Sequence, residues 1–190
     1  MAEKKNPVQA LLTDEERTYL EEHMEQVTPK APLSESVLTA VKISAMAGEA
    51  SAQMELAMAL LPQVAEVARL YAGQGACLED LIGAGNEALV SGTRLLMALE
   101  DPQEVEGDLM GRVMRAMEAV IEEEIAEKAA GQQMADFVNK VAEKAEELSE
   151  ALRRKVTPEE LANEGELTLE EIREAVRMSG NQIEALDSKD

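Results

Sequence analysis

The sequence predicts an all-α protein, and three observations carry that prediction. Hydrophobic residues make up 45% of the chain but aromatic residues only 2%, namely Tyr19, Tyr71 and Phe137, with no tryptophan. A core of Leu, Ala, Val, Ile and Met suits close-packed helices better than sheets, which favour β-branched and aromatic side chains. Apolar residues recur at steps of three and four, as in Leu109, Val113, Met117, Val120, Ile121 and Ile125. Helix start signals also repeat. Thr13 with Glu16, Thr157 with Glu160 and Thr168 with Glu171 each have the spacing of a capping box, where hydroxyl and carboxylate satisfy free backbone N–H groups.

The elements follow in order. A first helix runs from Thr13 to about Gln26, and "VTPKAPLSES" breaks it with two prolines and small polar residues. A second covers about Glu35–Ala47, and Gly48 stops it. The third carries Leu56, Leu60, Val64, Val67 and Tyr71, with Pro62 expected to kink or split it. "AGQG" at 72–75 ends it. The fourth is marked by Leu78, Leu81, Ile82, Leu89 and Leu96 and is loosened by Gly83, Gly85 and Gly92. "EDPQEVEGD" reads as a loop before the amphipathic helix through Leu109–Ile125. "AAGQQ" at 129–133 is the candidate boundary, giving domains 1–130 and 131–190. Beyond it come a helix at about Met134–Arg154 and two short helices within 157–177, joined by "NEGE". The expected architecture is a larger bundle over residues 12–128 and a three-helix, helix-turn-helix-like unit over 132–179.

Charge limits the function classes. Lys plus Arg is 18 and Asp plus Glu is 39, a net charge of −21. Phosphate contacts supply most nucleic-acid affinity, so this surface predicts poor unaided binding to DNA, RNA or anionic membranes. The single cysteine, Cys77, excludes an internal disulfide and a cysteine metal cluster and fits a reducing, cytoplasmic setting. The N-terminal lysines precede no apolar run of signal-peptide type, and no apolar stretch approaches the roughly 20 residues that span a bilayer. The single histidine, His23, has no evident catalytic partner, and no phosphate loop or dinucleotide fingerprint occurs. No catalytic, cofactor-binding or metal residue is therefore assigned. The methionines at 46, 54, 58, 97, 110, 114, 117 and 134 sit mostly at helical spacing and read as flexible core filler.

"LLPQVAEVARLYAGQGACLEDLIGAGNEAL" resembles region 2 of the bacterial RNA polymerase sigma factors of the sigma-seventy family. The matching positions are Val64, Val67, Ala68, Tyr71, Gly75, Leu78, Asp80, Leu81, Ile82, Gly85, Asn86 and Leu89. "LTDEERTYLEEH" is similar to the acidic helix of region 1.2. "MADFVNKVAEKAEEL" and "VTPEELANEGELTLEEIREAVRMSGNQIEALD" are similar to region 3. The resemblance thus runs through regions 1.2 to 3 in the family's order, and the chain ends where the family continues to region 4.

The resemblance implies a protein of transcription initiation that binds core RNA polymerase on its coiled-coil clamp helices. Asp80, Asn86, Glu87, Leu89 and Val90 would make that contact. Gly83 and Ala84 stand where the family has a Gln-Glu pair, so two polar contacts are missing. The family's promoter-melting aromatics are missing too. "LMGRVMRAMEAVI" takes their place, with Arg112 and Arg115 as candidate phosphate contacts or as partners of Glu118 and Glu122. Gln133 and Asp136 fall near the upstream-DNA positions of region 3, and Gln133 completes the candidate nucleic-acid set. The expectation is a divergent sigma-like protein with weak or no promoter reading. It would touch DNA only within a polymerase complex, with a second subunit supplying region 4. The alternatives are a regulator or competitor built on a sigma fold, and a helical scaffold repurposed without DNA binding.

Overall fold

The computed structural model describes residues 12–187. Helix α1 (Asp14–Val27) begins at a complete capping box: the Thr13 N–H donates to Glu16 at 2.8 Å, and the Glu16 N–H donates to Thr13 Oγ1 at 3.1 Å. Helix α2 (Glu35–Met46) ends at Gly48, whose φ of +88° turns the chain directly into α3. Only glycine adopts that backbone at little cost.

Helix α3 (Ala50–Tyr71) continues as a single helix through Pro62, against the expected kink or split. A mid-helix proline costs about 3 kcal/mol. The fully buried residues on both sides of it, Leu60, Val64 and Ala65, supply the packing that offsets this. Helix α4 (Leu78–Thr93) packs on α3 and on the start of α5 (Val105–Leu152) through its glycines. A Cβ on Gly85 would lie 2.5 Å from Met117 Cε and 2.6 Å from Val64 Cγ1. Gly85 and Gly92 are a condition of close approach, not a loosening of the helix, whereas Gly83 meets nothing. A short 3-10 turn, Leu96–Ala98, follows α4.

The loop before α5 is shorter than expected. Val105 is fully buried, so its anchoring starts the helix within the stretch read as a loop. The helix also does not break at 129–133. Of those residues only Gly131 disfavours a helix, by about 1 kcal/mol, and alanine and glutamine favour it.

The chain divides between Ile125 and Ala126 into two compact units. The first unit's core includes Leu56, Leu60, Leu78, Leu81, Leu89, Leu96, Leu109 and Met117. The second is built on Val141 and Ala145 of α5, Leu161 of α6 (Pro158–Asn163), and Ile172 and Ala175 of α7 (Leu169–Met178). Both short helices start at complete capping boxes, at Thr157 with Glu160 and at Thr168 with Glu171. Gly165, at φ +82°, makes the turn between them.

The chain after α7 returns to place Ile183 and Leu186 in the core, and it pairs in parallel with Val156. The Val156 N–H donates to the Ala185 carbonyl at 3.0 Å, and the Asp187 N–H donates to the Val156 carbonyl at 2.8 Å. Among the described residues this isolated bridge is the extent of β pairing, so the protein is all-α.

Candidate functional site

Helix α4 has an inner and an outer side. Leu78, Leu81, Ile82, Gly85, Leu89 and Gly92 are buried, whereas Glu79, Asp80, Gly83 and Glu87 are exposed. Asp80 and Glu87 are seven residues apart. That is about two turns and roughly 10 Å along the axis, so both carboxylates point from one face. Between them Gly83 faces open space, where an added Cβ would meet nothing, and Ala84 is half-buried.

Asp80 is held in place by the residue that caps α4. The Asp80 N–H donates to Cys77 Sγ at 3.4 Å, and the Cys77 thiol donates to Asp80 Oδ2 at 2.8 Å. Partial desolvation, and then the hydrogen bond to the Asp80 carboxylate, push the Cys77 thiol above its ordinary pKa, so it stays a donor. Tyr19 of α1 lies nearby, stacked on His23 with ring centroids 5.9 Å apart. Desolvation and the Glu79 charge raise its pKa.

The sequence-derived contact residues do not all share this surface. Asp80 and Glu87 are exposed, and Asn86 and Val90 are half-buried. Leu89 is fully buried. It is a core residue that supports the face from beneath and cannot itself meet a partner. Val90 packs against the same core, so a charge there would disturb folding as well as binding. Asn86 lies inside the helix and caps nothing, and its Oδ1 is buried without a hydrogen-bond partner. Sequence reasoning missed Cys77 and Glu79. Cysteine is not a preferred N-cap, so its role was not visible in the spacing.

The candidate nucleic-acid residues are differently placed. Arg112 Nε donates to Asp108 at 2.7 Å, one turn back, and not to Glu118 or Glu122. Its stem lies against Gly92. Glu118 instead accepts the Tyr71 hydroxyl at 2.8 Å. Arg115 is exposed on the first unit and Gln133 is exposed on the second. Asp136 accepts from Gln132 at 2.7 Å.

The methionines also depart from expectation. Met117 is buried and Met46 and Met110 pack against the core, but Met54, Met58, Met97, Met114 and Met134 are exposed. Four-residue spacing shows that two residues share a helix face, not which face is covered.

In the second unit, the glutamates of the helix-turn-helix-like pair have local work. Glu171 caps α7. Arg173 donates to Glu159 at 2.9 Å, and Arg177 to Glu174 at 3.3 Å. Arg154 donates to Glu160 at 2.6 Å. Both arginines of α7 are thus matched by carboxylates rather than offered to phosphate.

The described residues thus form an all-helical protein with a helix-turn-helix-like second unit and carboxylates on the outer side of α4. Residues 137–189 match the family described as Sigma-70 region 3. The chain is 28% identical over 143 residues to the RNA polymerase sigma factor SigA of a Bacillus species. That match covers 73% of this chain and 36% of the relative, so the chain spans about a third of that protein's length. Both findings bear out the resemblance read from the sequence. No described helix is long and apolar enough to cross a membrane.

Proposed function

We propose that this protein is a sigma-factor-like component of bacterial transcription initiation. It binds the clamp helices of core RNA polymerase through the outer face of α4 and reads promoters weakly or not at all by itself. The observation that carries the reading is the pair Asp80 and Glu87, exposed two turns apart on a helix whose other side is fully anchored. The similarity to SigA and to Sigma-70 region 3 supports it. Asn86 lies at the edge of the contact and Leu89 below it. The role is binding rather than catalysis, the setting is cytoplasmic, and any DNA contact by Arg115 or Gln133 occurs within the polymerase complex.

The net charge of −21 and the carboxylate-matched arginines favour weak DNA binding. They also support a second reading, in which the protein occupies polymerase as a competitor of a promoter-reading sigma.

The test is binding of the full chain to purified core polymerase. Wild type should bind, and Glu87→Lys should weaken binding by about tenfold or more, the loss of one hydrogen bond to a charged partner. Gly83→Gln with Ala84→Glu should tighten binding by about tenfold, because Gly83 opens onto free space. Absence of wild-type binding would end the reading. Added to polymerase carrying a housekeeping sigma, a competitor lowers initiation, whereas a partial sigma leaves it unchanged or redirects it.

A further inference from the structure

The second unit holds a cavity of about 260 Å³ between the last turns of α5 and the turn that joins α6 to α7. Its apolar wall is Leu148, half-buried, with Leu161 and Leu167, both buried. Its rim is charged: Lys144 and Glu147 on α5, Glu164 at the end of α6, and Glu166 just past Gly165. Lys144 Nζ lies 2.9 Å from Glu147 and 3.5 Å from Glu166, so this ammonium is already matched. The hydrogen bond and charge of Glu147, and then the charge of Glu166, raise its pKa and keep it protonated. Glu164 is exposed and makes no ion pair among the described residues.

Size and charge together narrow what this cavity takes. Pockets for small molecules run from about 300 to 1,000 Å³, so this one has the scale of a single side chain. Three carboxylates against one ammonium leave two negative charges at its mouth, in a protein of net charge −21. A phosphate or carboxylate group is repelled there. A purely aliphatic side chain would cover the leucines but leave the charges unmatched and partly desolvated, which costs free energy. An arginine meets both demands. Its methylene stem can lie along apolar surface while its planar guanidinium donates to carboxylates.

We propose that this cavity is a docking site for an arginine side chain presented by a basic segment of a partner protein. The stem lies on Leu148, Leu161 and Leu167, and the guanidinium donates to Glu164 and shares Glu166 with Lys144. The glutamates that turn this helix-turn-helix-like unit away from phosphate thus select a cation at this place. The site lies wholly within the second unit and does not depend on the α4 face or on polymerase binding.

An NMR titration of the isotope-labelled full chain tests it, the probe being a blocked peptide with Arg-Leu-Arg between glycine and serine residues. Amide shifts should concentrate in residues 144–151 and 161–167. Glu164→Lys should weaken binding by about tenfold or more, the loss of one hydrogen bond between charged groups. Lysine at a helix C-terminus suits the helix dipole, so this variant keeps its fold. A peptide with diaminopropionic acid for both arginines keeps the charges and loses the stems, and it should also bind about tenfold more weakly. Glu22→Lys, a charge change of the same size at an exposed position of α1, should alter binding by less than about twofold, because salt screens distant charges. Shifts spread over the acidic surface, or equal weakening by Glu164→Lys and Glu22→Lys, would overturn the proposal, since the peptide would then be held by overall charge. So would binding indifferent to loss of the stems, or no binding at millimolar peptide.

Discussion

The two units reach stable helical packing without a substantial aromatic core, and they do so differently. The first relies on close approach: Gly85 lets the α4 backbone come against Val64 and Met117, and an aliphatic core fills the rest. The second has a smaller core and spends its residues on helix ends. Two capping boxes, the Arg154–Glu160 and Arg173–Glu159 ion pairs and the backbone bridge at Val156 support it. A small domain buries a smaller fraction of its surface, so local stabilisation matters more to it. The same glutamates that look hostile to a DNA-reading helix are therefore structural parts of a small domain.

That contrast is open to direct test. The largest effect should come from Leu89→Ala in the first unit, which removes a fully buried side chain. The expected cost is about 2–5 kcal/mol in denaturant unfolding. A cost under about 1 kcal/mol would show that α4 is not anchored as described.

Next in size is the pair of glycine substitutions on α4. Gly85→Ala should destabilise by about 1–3 kcal/mol through overpacking against Met117 and Val64. Gly83→Ala should stabilise by about 0.5–1 kcal/mol, because its Cβ enters open space and alanine favours the helix. Opposite signs two residues apart, read from thermal midpoints, would sharpen the comparison. Equal signs would break it.

The smallest effect lies in the second unit and depends on pH. The Arg154 guanidinium, helped by the Thr157 backbone N–H, lowers Glu160 from 4.5 to about 2. A carboxylate with a depressed folded pKa stabilises above its ordinary pKa and loses that contribution as pH falls through the folded value. Glu160→Gln should therefore lower the second unit's melting temperature at neutral pH. The gap from wild type should narrow as pH drops from 4.5 towards 2 and close near 2. A gap that persists there would mean the effect is one of shape and not charge.

Legibility followed the same contrast between local and distant interactions, within both units. The starts of α1, α6 and α7 could be read directly, because a capping box is complete within four residues and needs no tertiary partner. The turn at Gly165 could be read for the same reason. Val105, Pro62 and the return of Ile183 and Leu186 could not. Each depends on what the residue packs against, and in the last case on a strand-like pairing with a residue thirty positions earlier. At the candidate site, the family resemblance pointed to Asp80 and Glu87, which are exposed, but also to Leu89, which is buried, since a recurring leucine carries no label for inside or outside.

The sequence by itself determined the helical class, the order of the helices, the starts with local caps, and a charge that disfavours nucleic acid. Those properties follow from interactions within one or two turns or from composition summed over the chain. Only the tertiary structure decided which side of α4 faces solvent, why Gly85 is required while Gly83 is not, and which carboxylate each arginine meets. The reason is that burial and ion pairing between elements are set by neighbours brought together from distant parts of the chain, and periodicity records only that two residues share a face.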